Sequence, residues 1–283
     1  MAFLADPDAL HSQYCTDDWL RLRQDIHERY SVPQVDFPGW VLNRVQWRGD
    51  EWVLDVGAGS GFYVKPLREL VRASRYTGLD LSEGMLARNP AASLALADAA
   101  ALPFRGHIFD VVMANHVLYH VADLDAAVDE MKRVLLPDGL LITATNSANS
   151  MPELTALYRR AVLLLSNPGA STAPSLMPIH APYTLENGAR CLARHFFAVV
   201  RYDLPQLLVF EDSEPVLSYF ASWRTMREPL LPAEVRWDDV MTLMREQITR
   251  VLDAMGELVI NKLTGVLIAS DRGGFINPYV TMR

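Results

Sequence analysis

Residues 53–61 read Val-Leu-Asp-Val-Gly-Ala-Gly-Ser-Gly, and this stretch decides the fold of the chain. The apolar run that begins at Trp52 ends in a glycine cluster, which is typical of a buried parallel strand followed by a tight turn. Glycines let the backbone turn sharply and approach a ligand closely. The spacing G-x-G-x-G differs from the dinucleotide-binding spacing G-x-G-x-x-G, so the pattern alone also fits a purely structural turn.

Strand and helix patterns alternate on the carboxyl side of this turn. Short apolar runs predict strands at 52–56, 76–81, 94–97, 109–114, 140–145, 199–203 and 265–270. Helical spacing predicts helices over 9–30, 40–45, 62–73, 83–88, 124–135, 152–165, 183–196, 215–226 and 234–258. The first five strands alternate with helices, which indicates repeated βα units and a parallel sheet.

Acidic residues follow two of these strands. Asp80 ends the second strand, where a carboxylate can accept hydrogen bonds from both hydroxyls of a ribose. Asp98 follows the third strand, where it can accept from the amino group of an adenine. The alternatives are a helix cap for Asp80, for which Ser82 is better placed, and an exposed loop charge for Asp98.

Five segments in this order make the chain similar to a known family. They are VLDVGAGSG, GLDLSEGML, ADAAALPF, FDVVMANHVLYHV and EMKRVLLPDGLLIT, and they lie within residues 51–146. Together they resemble the class I S-adenosylmethionine-dependent methyltransferases, and most closely the broad group that contains small-molecule methyltransferases.

The resemblance implies an α/β fold, in which a Rossmann-like, seven-stranded, mostly parallel sheet carries helices on both faces. We predict one methyltransferase domain over 1–283, with an N-terminal helical segment at 1–50. The S-adenosylmethionine-binding core would cover 51–204 and 263–276, and a helical lid would be inserted at 205–262.

The resemblance also assigns the cofactor, S-adenosyl-L-methionine, and its product S-adenosyl-L-homocysteine. Asp55 would lie beneath the amino group of the methionine moiety, Asp80 would bind the ribose, and Asn115 would lie close to the methyl group. The other predicted cofactor contacts are Gly57, Ala58, Gly59 and Gly61 at the methionine, Leu81 and Met85 along the adenosine, Asp98 and Ala99 at the adenine edge, and His116.

Methyl transfer from a sulfonium is an in-line displacement, so a general base is needed only when the acceptor carries a proton. His116 and His120 follow the fourth strand and are the candidate bases, because histidine titrates near neutral pH. The alternative is that both side chains pack against the sheet or hold the loop.

The insertion at 212–262 is rich in aromatic residues and methionines, which favours an apolar lid or groove over the active site. Candidate substrate or lid residues are Tyr14, Tyr30, Tyr119, His180 and Trp223. A pocket of this kind suits a small organic acceptor with an O, N or C nucleophile. The same aromatic residues could equally form the core of the lid or a dimer interface.

The composition limits the partners. The net charge is −8, with Lys+Arg 26 and Asp+Glu 34, so we expect neither nucleic acid nor an anionic membrane as a partner. The two cysteines form no C-x-x-C pair, so we expect no metal site. The N-terminus has no basic region before its apolar residues, which argues against a secretory signal and favours a cytoplasmic location. We expect a monomer or a homodimer.

Three other functions remain open at this point. The chain could modify RNA or tRNA, or it could bind S-adenosylmethionine or S-adenosylhomocysteine as a non-catalytic regulator. An NAD-linked reductase is disfavoured by the glycine spacing and by the lack of a Tyr-x-x-x-Lys pair.

Overall fold

The computed structural model describes residues 7–72, 75–167 and 182–272, so His180 lies outside the described residues. Its strands are β1 (Ser31–Val32), β2 (Val53–Val56), β3 (Tyr76–Asp80), β4 (Leu94–Leu96), β5 (Phe109–Met113), β6 (Leu135–Asn146), β7 (Ala198–Phe210) and β8 (Leu258–Ser270). Its helices are α1 (Pro7–Tyr14), α2 (Asp18–Tyr30), α3 (Phe37–Leu42), α4 (Val64–Arg68), α5 (Glu83–Leu86), α6 (Leu124–Val134), α7 (Pro152–Leu165), α8 (Leu185–Leu192), α9 (Ser213–Ala221), α10 (Arg224–Arg227) and α11 (Trp237–Met255).

The described strands form one sheet in the order β1-β7-β8-β6-β5-β2-β3-β4. The neighbours β6-β5-β2-β3-β4 are parallel, whereas β8 runs antiparallel to β6 and β1 antiparallel to β7. The chain builds outward from β2 in one direction through β3 and β4, and in the other through β5 and β6. The order therefore reverses beside β2, and in sheets of this kind ligands bind at the carboxyl ends of the strands at that point.

The described residues divide into two compact units. Unit 1 contains residues 7–35, 148–167 and 205–263, and unit 2 contains residues 36–72, 75–147, 182–204 and 264–272. These bounds differ from the predicted segments, because unit 2 begins before residue 51 and residues 148–167 belong to unit 1. The prediction that the whole chain is a single domain stays a prediction.

Unit 2 is built around strands that are buried on both faces. All four residues of β2 are buried, and Leu141 and Ile142, successive residues of β6, are both 0% exposed. Successive strand residues point to opposite faces, so both faces of this part of the sheet are covered. The apolar core on one face includes Val41 from α3 and Leu67 from α4.

Unit 1 has its own apolar core, formed by helices and by the ends of two strands. Tyr158 of α7 and Phe220 of α9 are fully buried, and Phe220 stacks on Trp237 of α11 at a centroid distance of 5.3 Å. Leu208 of β7 and Ile260 of β8 belong to the same core. None of the described helices has both the length and the hydropathy that crossing a lipid bilayer requires.

The fold class is confirmed, with corrections to its elements. The sheet has eight described strands instead of the predicted seven, because the two-residue strand β1 is added beside β7. β7 continues to Phe210 past Pro205, since alternate burial continues through Gln206 and Leu208. The segment predicted as a wholly helical lid therefore begins and ends in strands.

Several predicted helices are shorter than predicted, shifted or divided. Those predicted over 83–88, 183–196 and 234–258 are the shorter α5, α8 and α11, and the one predicted over 40–45 is α3. The turn after β2 extends through Tyr63, so the helix predicted over 62–73 is only α4. The helix predicted over 9–30 is divided into α1 and α2, and at this break the Thr16 hydroxyl donates to the Asp18 carboxylate, a local bond that competes with helical pairing. The helix predicted over 215–226 is divided into α9 and α10.

The core of unit 2 predicts that truncating a buried leucine lowers the free energy of unfolding far more than truncating an exposed one. Leu141→Ala removes a side chain that is 0% exposed on central strand β6, and we expect the free energy of unfolding to fall by about 2–5 kcal/mol. Leu96→Ala, a matched change at a 60% exposed position on edge strand β4, should change it by less than about 0.5 kcal/mol. Equal effects in chemical denaturation would contradict the placement of the core.

Candidate functional site

The turn after β2 adopts a backbone that glycine favours. Gly57, Gly59 and Gly61 have φ values of 72°, 53° and 89°, all in the left-handed region. The Leu79 carbonyl at the end of β3 accepts hydrogen bonds from Gly57 N at 2.7 Å and from Ala58 N at 2.9 Å. The turn is therefore bonded to the neighbouring strand end.

Side chains at the first and last glycines would also collide with their surroundings. A Cβ at Gly57 would lie 2.6 Å from Val117 Cγ2, and one at Gly61 would lie 2.7 Å from Pro90 Cδ. Substitution at either position would therefore displace neighbouring groups in addition to straining the backbone.

Asp80 connects the turn to the end of β3. One carboxylate oxygen accepts from Gly59 N at 2.9 Å and the other from Ser82 N at 2.9 Å. Burial raises the pKa of Asp80, while the backbone N–H donors, Gly59 among them, oppose the rise. Ser82 caps α5, since its hydroxyl accepts from Met85 N at 3.3 Å, so Asp80 does not serve as that cap.

Asp55, near the carboxyl end of β2, is the most deeply buried acid of this region. It is 2% exposed and accepts a hydrogen bond from the Tyr76 hydroxyl at 2.9 Å. Burial raises its pKa to about 7, and the nearby Asp80 carboxylate adds to the rise. A cation close to Asp55 would compensate its charge and lower this pKa.

Two buried donors near the turn have no hydrogen-bond partner among the described residues. The Asn115 side chain accepts from Ala144 N at 2.8 Å through its oxygen, but its Nδ2 is unpaired. The Tyr63 hydroxyl is also unpaired, and burial together with the charges of Asp55 and Asp36 raises its pKa. A ligand with a carboxylate and an ammonium group would match these donors and the Asp55 carboxylate, so the residues fit the methionine moiety of S-adenosylmethionine.

The predicted adenosine contacts differ in exposure. Leu81 is 65% exposed directly after β3, whereas Met85 is 4% exposed within α5. Asp98 is exposed and its Oδ1 accepts from Ala100 N at 2.8 Å, and the neighbouring Ala99 is buried. Leu81 and Asp98 are therefore open to a ligand at the ends of β3 and β4.

The histidines predicted as bases lie in an aromatic group after β5. His116 has a φ of 56°, and its ring centroid lies 5.5 Å from that of Phe37 and 6.4 Å from that of Tyr119. His120 lies 4.5 Å from Tyr119 between ring centroids. The positive φ of His116 is a backbone conformation that glycine favours, and its backbone N–H donates to Ala144 O at 2.8 Å.

The other predicted substrate residues belong to unit 1. Tyr30 packs on Phe210 with 4.8 Å between ring centroids, and the Arg23 guanidinium lies 4.4 Å above the Trp223 ring. Tyr14 ends α1 and is partly buried. Contact of these side chains with a substrate stays a prediction.

Sequence reasoning missed the residues that support the site. Asn89 is 8% exposed and donates from Nδ2 to Gly59 O at 2.9 Å, and Tyr76 holds Asp55. Tyr63 and Phe37 were also missed as neighbours of the site. Tyr76 could have been found, because an aromatic hydroxyl at the start of β3 must find a partner in a buried sheet, but Asn89 lies in a loop with no periodic signal.

The fold and the glycine turn are similar to those of class I S-adenosylmethionine-dependent methyltransferases. Residues 54–143 match the family described as a methyltransferase domain, so this segment belongs to that family. The matched range begins in β2 and ends in β6, and it therefore contains the glycine turn and the ends of the parallel strands.

A curated relative matches part of the chain. The chain is similar to malonyl-[acyl-carrier protein] O-methyltransferase of Geobacter sulfurreducens, with 31% identity over 57% of this chain and 58% of the relative. The chain thus spans little more than half the length of that relative.

Solved structures agree in fold alone. A structure described as a methyltransferase of an antibiotic biosynthesis pathway from Anabaena variabilis has a TM-score of 0.59 at 15% identity, over 84% of this chain and 98% of that one. A phosphoethanolamine N-methyltransferase 2 from Haemonchus contortus, in complex with phosphomonomethylethanolamine and S-adenosylhomocysteine, has a TM-score of 0.54 at 16% identity, over 96% of this chain and 61% of that one.

The buried Asp55 predicts a pH-dependent stability. Its pKa is about 7 in the folded state against an ordinary value of 3.8, so the folded state retains a proton that the unfolded state releases. The free energy of unfolding should therefore fall as the pH rises from 4 to about 7 and then level off. Asp55→Asn should remove this decline, so that the variant is more stable than the parent at pH 8 and similar to it at pH 4.

The measurement is urea denaturation of parent and variant across this pH range. Tyr76→Phe serves as a second variant, because loss of the hydroxyl donor should raise the Asp55 pKa further and extend the decline to higher pH. Parallel pH profiles for the parent and Asp55→Asn would refute the assignment of a raised pKa to Asp55.

Proposed function

We propose that the chain binds S-adenosyl-L-methionine in unit 2 and transfers its methyl group to a small organic acceptor. The observation that supports this most strongly is the left-handed glycine turn at the strand-order reversal, with the Asp80 carboxylate at the neighbouring strand end. S-adenosylmethionine would supply a methyl group bonded to a positively charged sulfur. The sulfur leaves as a neutral thioether, so the methyl group needs no further activation.

The residues of unit 2 would divide the binding between them. Asp80 would accept from the ribose hydroxyls with the lone pairs that its two backbone donors leave free. Asp55 would compensate the methionine ammonium, and Asn115 Nδ2 and the Tyr63 hydroxyl would donate to the methionine carboxylate. Asp98 would accept from the adenine amino group.

The proposed acceptor is a carboxylate oxygen of a small acyl group. The support is the similarity to malonyl-[acyl-carrier protein] O-methyltransferases, whose name specifies a methylated oxygen and a malonyl group. A carboxylate is ionised at neutral pH and needs no general base. His116 and His120 would then orient the acceptor or shape the pocket, and they would act as bases only toward a protonated N or O acceptor.

The site residues predict the strength of cofactor binding. Asp80→Ala removes a charged acceptor from the ribose, and we expect S-adenosylhomocysteine binding to weaken by about 1.5–3 kcal/mol, roughly 10- to 150-fold in Kd. Glu83→Ala is the matched control, because Glu83 is an exposed carboxylate three residues further along the chain. Isothermal titration that gives the same Kd for the parent and Asp80→Ala would exclude the ribose assignment.

The proposed reaction is tested by turnover with a set of acceptors. The protein is incubated with S-adenosylmethionine that carries a labelled methyl group. Three acceptors are compared: a malonyl thioester, an analogue in which an amide replaces its free carboxylate, and a simple amine. We expect label in the malonyl methyl ester alone. Label in none of these acceptors, with intact binding of S-adenosylhomocysteine, would contradict methyl transfer to this acceptor class and favour a binding role.

A further inference from the structure

Lysine is rare in this chain, and one of its lysines occupies an unusual position. Lys+Arg total 26, yet lysine occurs only at positions 65, 132 and 262. Lys65 is exposed, and Lys132 forms an ion pair with Asp271 at 2.8 Å. Lys262 is partly buried in β8 and has no ion pair among the described residues.

Strand geometry places Lys262 on the core side of β8. Leu258 and Ile260 precede it at two-residue intervals, are 5% and 1% exposed, and belong to the apolar core of unit 1. Alternate residues of a strand share a face, so the lysine continues this row where an apolar side chain would be expected. The alternate residue Asn261 is exposed and bonds to Glu153 through its N–H and its side chain.

The Lys262 ammonium has little to compensate its charge. Its Nζ donates to Ser31 Oγ at 3.5 Å, at the long limit for a hydrogen bond. Burial lowers the pKa of Lys262 to about 8, and no charged group opposes this effect in the described part of the chain. An ammonium removed from water without an anion is unfavourable, and an anion that reached it would gain correspondingly more than at the surface.

Ser31 adds a second donor beside the ammonium. It is 4% exposed in β1, and its hydroxyl accepts from Lys262, which leaves the hydroxyl proton available to donate. Two donors with a single positive charge match the two oxygens and the single charge of a carboxylate. A phosphate dianion would leave a second charge uncompensated.

We infer that the Lys262 ammonium and the Ser31 hydroxyl form a binding site in unit 1 for the carboxylate of a small organic acid. Both residues belong to unit 1 and neither takes part in the proposed binding of S-adenosylmethionine. The site therefore does not depend on the proposed methyl transfer, and its test measures binding instead of turnover.

The small number of lysines allows a direct test by NMR. Protein labelled with 13C at lysine Cε should give three signals, and Lys262→Met identifies the one from Lys262. Butyrate is added to the full chain, with sodium chloride at equal ionic strength and butyramide as controls. We expect butyrate alone to shift the Lys262 signal in a saturable way and to raise its titration midpoint by about one pH unit or more, while Lys65 and Lys132 do not respond.

Ser31→Ala should weaken butyrate binding several-fold and leave the spectrum otherwise unchanged. Three results would overturn the site. The first is a Lys262 titration midpoint near the ordinary 10.5 before butyrate is added, because a carboxylate of the chain would then already pair with the lysine. The second is an equal shift of the Lys262 signal with chloride or butyramide. The third is an unchanged affinity for butyrate in Ser31→Ala.

Discussion

The hydrogen bonds between the glycine turn and the end of β3 are the constraint on which the rest of the site depends. The Leu79 carbonyl and the Asp80 carboxylate together bind the N–H groups of three successive residues, 57–59. This arrangement requires a left-handed backbone at alternate positions, which the three glycines allow. Because β2 pairs with both β3 and β5, the turn is fixed at the edge where the strand order reverses.

Burial near this turn produces its electrostatic character. Asp55 and Asp80 are acids on adjacent strands, and burial raises the pKa of both. Two nearby buried donors, Asn115 Nδ2 and the Tyr63 hydroxyl, are unpaired among the described residues. A buried polar group without a partner is unfavourable, so this combination favours a ligand that carries both a cation and an anion.

The sequence predicted the parallel sheet because its apolar runs and glycine punctuation are local signals. The structure adds a capping box at the start of α8, in which Thr184 and Asn187 bond to each other's backbone. The strand β1 was missed because two residues have no period. The strand predicted over 199–203 ended too early, because burial of alternate side chains continues to Phe210.

The supporting residues were harder to predict, because their roles depend on partners distant in sequence. Asn89 reaches Gly59 across 30 residues, and Ser31 reaches Lys262 across 231. No local pattern in the sequence predicts that such residues are in contact, because the contact depends on the complete fold. The predicted roles of Tyr14, Tyr30 and Trp223 depend in the same way on a substrate whose position the sequence does not encode.

The central claim is that the turn at the end of β2 is the binding site of the methyl donor. A crystal structure of the protein with S-adenosylhomocysteine tests this most directly. We expect the ribose hydroxyls to bond to Asp80 and the methionine moiety to lie along Gly57–Gly61, with the ammonium near Asp55. A ligand bound elsewhere, or bound with Asp80 bonded only to Gly59 and Ser82, would contradict it.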